Sequence, residues 1–193
     1  MPLTTYTAGE VLTAASLNAN FTFAAANPPG GLTFVSQQTI TTATSFSLPA
    51  STFTSTYRNY RVIFDGALSA AEQQITLRMR ASGSDLTTSN YTGGMVIGTG
   101  EGAAEIDATA EASAFDLGKT FAAGQGVSID VYSPQVATTT KFTGTFFGRI
   151  SNRGGGAFGG IFSLTTQCDA LSIIFAGGVT FTGIVTTYGY ANS

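Results

Sequence analysis

The sequence predicts an all-β fold, a jelly-roll-like β-sandwich preceded by a short N-terminal helix, on three observations. From Leu32 onward apolar and polar residues alternate in short runs rich in Val, Ile, Thr, Phe and Tyr, the two-residue period of strands wet on one side. Gly- and Ser-rich turn chemistry recurs between those runs. Before Leu32 the pattern is helical instead, and it is closed by Pro28, Pro29, Gly30 and Gly31. A chain of 193 residues fits one sandwich with an appendage. The predicted segments are 1–27, with the helix; 28–31, a Pro/Gly linker; and 32–193, the sandwich.

In the first segment Thr13 is placed to cap a helix running through AASLNANFTFAAA, with Leu12 and Leu17 at the staple positions around the cap. Leu17 and Phe21 share a face at i,i+4 spacing, with Asn18 beside them. A lone helix of three or so turns is marginal in water, so it requires a partner.

Strands are predicted near 32–41, 44–48, 59–66, 74–82, 91–98, 111–117, 126–133, 140–150, 159–168, 170–176 and 179–188. In RVIFD (61–65) Val62 and Phe64 fall on one face; in QITLRMRA (74–81) Ile75, Leu77 and Met79 do the same. So many half-buried strands exceed one open sheet and imply two packed face to face. Turns are expected at 82–85, 98–102, 151–156 and 175–178. The segment 49–60 is expected to cross an end of the sandwich, with Phe53, Tyr57 and Tyr60 plugging the core there.

Only 10% of the residues are charged against 43% hydrophobic, well under the roughly 25% charge of an ordinary soluble domain. A surface so weakly ionised suits a subunit whose neighbours cover it, and a homo-oligomer is the expectation. The net charge is −3 and the eight Lys and Arg are scattered, which argues against nucleic-acid binding. No apolar run reaches the length of a membrane span, the N-terminus lacks the pattern of a signal peptide, and no membrane insertion is expected.

The chemistry of bond making is thin. Histidine is absent, which removes the commonest general base and zinc ligand. The single Cys168 lies in an apolar run and is expected to be buried and inert. Glu101, Glu105, Asp107, Glu111 and Asp116 crowd one stretch; their plain reading is a solvated strand face. Two carboxylates could instead serve a glycan depolymerase, and the same oxygens could hold a weak calcium ion, although the spacing fits no calcium loop. RGGGAFGG (153–160) lacks the Lys-Ser/Thr of a phosphate-binding loop and reads as a flexible hairpin tip. Arg153 and Phe158 on that tip, and Tyr91 before Thr92, Gly93 and Gly94, are candidate contacts for a receptor or a sister subunit. No cofactor, metal site or catalytic residue is assigned.

GEVLTAASLNANF (9–21) resembles the N-terminal segment of many bacteriophage tail-fibre and tail-associated proteins. STYRNYRVIFDG (55–66), followed by QITLRMRASGSD (74–85) and Tyr91, resembles the start of a β-sandwich domain in phage tail and virion proteins. GIVTTYGY (183–190) is similar to the last strand of such domains. The resemblance implies a tail-fibre or tail-tip virion protein, made in the host cytoplasm and resident in the virion tail. Its N-terminal segment, with Leu12, Leu17, Asn18 and Phe21, would attach to tail or baseplate proteins. Its sandwich, commonly trimeric, would face the host surface and its glycans for receptor binding and adhesion. A capsid decoration or head protein and a carboxylate-dependent depolymerase are the alternatives.

Overall fold

The computed structural model describes residues 8–9, 13–26, 31–70, 73–99, 104–119, 124–150 and 153–191. The helix forms where expected, as α1 (Ala14–Ala26). Thr13 caps it: its Oγ accepts the Ser16 amide at 3.2 Å and its carbonyl accepts the Leu17 amide at 3.0 Å. Leu12, Asn27 and the Pro28–Gly30 breakers lie outside the described residues.

Among the described residues thirteen strands follow: β1 (Leu32–Ala43), β2 (Ser45–Ser47), β3 (Asn59–Leu68), β4 (Gln74–Ala81), β5 (Ser84–Asp85), β6 (Tyr91–Thr99), β7 (Ala104–Ala112), β8 (Phe115–Lys119), β9 (Gln125–Tyr132), β10 (Thr140–Ile150), β11 (Arg153–Phe162), β12 (Ala170–Phe175) and β13 (Phe181–Tyr190). They form two antiparallel sheets. The larger is ordered β1-β13-β3-β9-β10-β11-β6-β7, and the smaller β2-β12-β4-β5 with β8 also on β4. Eight of these strands give the orders β1-β13-β3-β9 and β2-β12-β4-β8, in which the first strand pairs with the last and successive strands change sheet except at β4–β8. That is jelly-roll connectivity. The hairpins β6–β7 and β10–β11 are insertions into it, and both extend the larger sheet beyond β9.

The period-two pattern decides which side chains meet between the sheets. Val62, Phe64, Ile75, Leu77, Met79, Val127, Ile129 and Val185 are buried as the alternation requires. Phe175 stacks on Phe181 at 5.5 Å, and Phe46 lies against both. Each such ring removed from water contributes about 1.5–3 kcal/mol. At one end of the core Phe53 and Tyr60 are buried with centroids 4.7 Å apart, and Tyr57 meets Tyr60 edge-on, as the 49–60 segment predicts. The Tyr60 hydroxyl is satisfied locally: it donates to the Thr54 carbonyl and accepts the Thr54 amide, both at 2.7 Å.

Two stretches depart from the predicted strands. The run 111–117 is not one strand: β7 ends at Ala112 in the larger sheet and β8 begins at Phe115 in the smaller. Glu111, at φ 47°, sits in the left-handed region at that junction, where an L residue breaks an extended run. The Gly-rich stretch 153–160 is not a hairpin tip but the body of β11, paired on both sides with β10 and β6. The predicted strand 159–168 ends at Phe162, and the chain beyond it is held by irregular bonds such as Cys168 amide to Pro134 carbonyl at 2.7 Å.

Cys168 is buried, and burial pushes its thiol up to about 12, so the thiolate is scarce at neutral pH. The native protein is expected to resist iodoacetamide over hours at pH 8 and to take one equivalent in denaturant; mass spectrometry after each treatment reads the difference.

Candidate functional site

The smaller sheet covers only one face of the larger, so the outer face of the larger sheet is available to a partner. Strand register sets a row of side chains across it: Phe34 opposite Tyr188, Tyr188 opposite Arg61, Arg61 opposite Asp130, and Asp130 opposite Thr143. A second row on the same face brings Tyr132 opposite Lys141 and Lys141 opposite Ile161.

The centre of this face is an ion pair with a phenol on it. Arg61 donates from Nε and Nη2 to the two Asp130 oxygens, each at 2.7 Å. Tyr190 donates its hydroxyl to Asp130 Oδ1 at 2.5 Å, and the Arg61 guanidinium lies 5.6 Å from the centre of the Tyr190 ring. Burial works to raise the Asp130 carboxyl, but the bonds from Arg61 and then Tyr190 outweigh it and hold the group below its ordinary value. The Tyr190 phenol is pushed up to about 12, first by burial and then by Asp130.

A carboxyl depressed in the folded state stabilises the fold above its unfolded value, near pH 3.9, and loses that contribution as pH falls through the folded value. Asp130→Asn is therefore expected to unfold at lower urea than wild type near pH 6. The two midpoints should converge as pH falls through the lowered folded value of Asp130. Urea titrations across that range check the sign; a gap that widens in acid would refute it.

Two depressions flank the ion pair. One, of about 420 Å³, is lined by Arg61, Ser128, Asp130, Thr143 and Thr145. The other, of about 500 Å³, is lined by Tyr132, Lys141, Thr143, Gly159, Gly160 and Ile161. Thr143 lines both, so they form one trough across β9, β10 and β11. Its floor is low because Gly159, opposite Thr143 on β10, carries no side chain above the sheet.

Of the residues singled out by sequence, Phe158 borders the first depression from β11, and the others lie elsewhere. Tyr91 is fully buried, and its hydroxyl accepts the Met79 amide at 2.9 Å and donates to the Leu86 carbonyl at 2.8 Å; it ties β6 to the smaller sheet and is no contact loop. Phe158 is likewise no exposed ring: it is 5% exposed and packs towards Phe115 at 6.0 Å. Arg153 pairs through its backbone with Ile150 and Thr99, and its side chain lies outside the described residues. On α1, Asn18 and Phe21 are exposed and Leu17 is half-buried. Glu101 lies outside the described residues; Glu105, Asp107 and Glu111 ride on β7 and Asp116 on β8. Among the described residues no three acidic side chains converge as a metal would require. Asp116 instead accepts Gln74 Nε2 at 2.5 Å and the Gly118 amide at 2.8 Å.

The Arg61–Asp130–Tyr190 cluster escaped sequence reasoning because its members stand far apart in the chain. A detectable signal was Arg61 itself, a charge on the solvent side of a central strand, where an opposite charge directly across is worth about 0.2–1 kcal/mol.

No family model and no curated protein matches the chain. No helix among the described residues is long and apolar enough to cross a membrane.

Proposed function

We propose that the chain is a structural and adhesive protein of a bacteriophage tail, fibre or tip, docked by α1 and presenting the sandwich to the host surface. The observation that carries this reading is the state of α1. It is well capped, yet among the described residues no strand makes more than slight contact with it, and Phe21 stands 64% exposed. A helix of thirteen residues is not self-sustaining in water. Its Leu17–Phe21 face therefore calls for a receptor outside its own sandwich. The resemblance of residues 9–21 to tail attachment segments names the kind of receptor, a tail or baseplate protein.

The low charge supports assembly as a homo-oligomer, and the resemblance to tail proteins implies a trimer. The reading assigns binding and mechanical support; it uses no cofactor and no catalytic group.

Electron microscopy of intact particles carrying a tagged copy tests the proposal. The tag is expected at the tail, and light scattering of the purified chain is expected to give the mass of three copies. A tag on the head would replace the proposal with a capsid decoration role, and particles without the chain would end it.

A further inference from the structure

We infer that the trough beside Tyr132, Lys141 and Thr143 binds an acidic oligosaccharide. The argument starts from what this face is made of. The solvent side of a sandwich sheet is ordinarily Thr, Ser and charge, but here Tyr132, Tyr188 and Tyr190 stand half-buried on it, with Phe34 edge-on to Tyr188 at 6.3 Å. Such rings offer an apolar face and a polar tip together, which suits a ligand whose own faces are C–H and whose rim is hydroxyl. Beyond Tyr132, Gly159 on β11 lowers the floor, and the depressions of about 420 and 500 Å³ lie in the size range of small-ligand sites.

The polar groups along the trough are short hydroxyls and two cations. Ser128, Thr143 and Thr145 present hydroxyls, and the Tyr132 hydroxyl lies 3.4 Å from that of Thr143. Arg61 spends Nε and Nη2 on Asp130 and keeps Nη1 for a ligand. Asp130 is occupied by Arg61 and Tyr190, whereas Lys141 has no acidic partner among the described residues. The trough therefore carries an uncompensated positive charge on a chain whose net charge is −3. This complementarity selects an anionic ligand. The cations are too few for a nucleic-acid backbone, and the open, hydroxyl-lined floor gives a lipid tail nothing to enter. A saccharide bearing carboxylates meets all three features: rings for its C–H faces, hydroxyls and Arg61 for its own hydroxyls, and Lys141 for its charge.

The ligand class deepens the adhesive reading above and rests on it. The test uses the full chain on an array of surface glycans with neutral and with uronate- or sialate-bearing members, followed by calorimetric titration of the best binder and its neutral homologue. Acidic members are expected to bind, with the neutral homologue weaker by roughly tenfold. Lys141→Ala should abolish that preference, and Tyr132→Ala should weaken binding by roughly tenfold or more without moving the thermal transition. Thr76→Ala, on the outward side of β4 in the smaller sheet, should change nothing. Absence of binding to every member, a preference for neutral glycans, or indifference to both trough variants would overturn the inference. A chain located at the tail that binds no glycan sinks only the inference; a chain that binds acidic glycans but is missing from particles sinks only the tail role.

Discussion

Phe115→Ala is expected to destabilise the protein by about 3–5 kcal/mol, measured by urea unfolding. Phe115 is fully buried, 4.6 Å from Phe142 and 6.0 Å from Phe158 between ring centroids. It belongs to β8 of the smaller sheet, but the rings it meets stand on β10 and β11 of the larger one. Its removal would open a cavity where the two inserted hairpins rest on the jelly roll.

The neighbouring glycines sharpen this expectation into a contrast. Replacing Gly by Ala ordinarily gains about 0.4–1 kcal/mol by restricting the unfolded chain, so the sign is decided by space. At Gly160 a Cβ would run into the Phe115 ring, with the Thr92 carbonyl at 2.8 Å as a secondary contact. At Gly93 it would meet the Gly159 carbonyl, with the Gly160 Cα at 2.6 Å and the same ring close by. Each Gly→Ala change is thus expected to destabilise by about 1–3 kcal/mol or more. In the background of Phe115→Ala the ring is gone, and Gly160→Ala should lose the part of its cost that the ring imposes, a coupling of at least about 1 kcal/mol, while the Thr92 carbonyl at 2.8 Å keeps the remainder. Gly93→Ala should remain damaging, because backbone does not step aside. Equal rescue at both positions would show that the glycines are not there to admit the ring.

That contrast also explains where the sequence was legible and where it was not. Val62 and Phe64, or Ile75, Leu77 and Met79, declare their face by alternation, because burial on one side of a strand is a local pattern. The glycines of β11 follow no such rule. In a sequence they read as turn residues, whereas here they make room for rings from elsewhere in the fold, and a close approach across layers has no local signature. Phe158 looked exposed for the same reason: flanking glycines suggested a loop, and the strand they belong to buries it. Tyr91 was misplaced because its hydroxyl partners, Met79 and Leu86, come from another strand and its following turn. The Arg61–Asp130 pair joins positions 69 residues apart, which only the pairing of β3 with β9 brings together. The helix cap, by contrast, is contained within four residues, and Thr13 could be chosen from the sequence alone.

If α1 is the docking element proposed above, Leu17→Asp with Phe21→Asp is expected to leave the sandwich intact and abolish attachment to the particle. Neither side chain serves the core, so the thermal transition should stay within about 2 °C of wild type, as for surface substitutions worth under about 0.5 kcal/mol. On docking, each side chain would contribute about 1.5–3 kcal/mol of apolar burial, and the pair together enough to weaken attachment by about two to four orders of magnitude. Two new carboxylates one turn apart would oppose docking further, because they must be desolvated or protonated to enter an apolar socket. Complementation of a deletion phage, with the chain quantified in purified particles, reads attachment, and calorimetry reads the fold. Wild-type incorporation of the double variant would refute α1 as the docking element. A transition lowered by many degrees would place the Leu17–Phe21 face on its own sandwich and leave no free helix for a tail protein to hold.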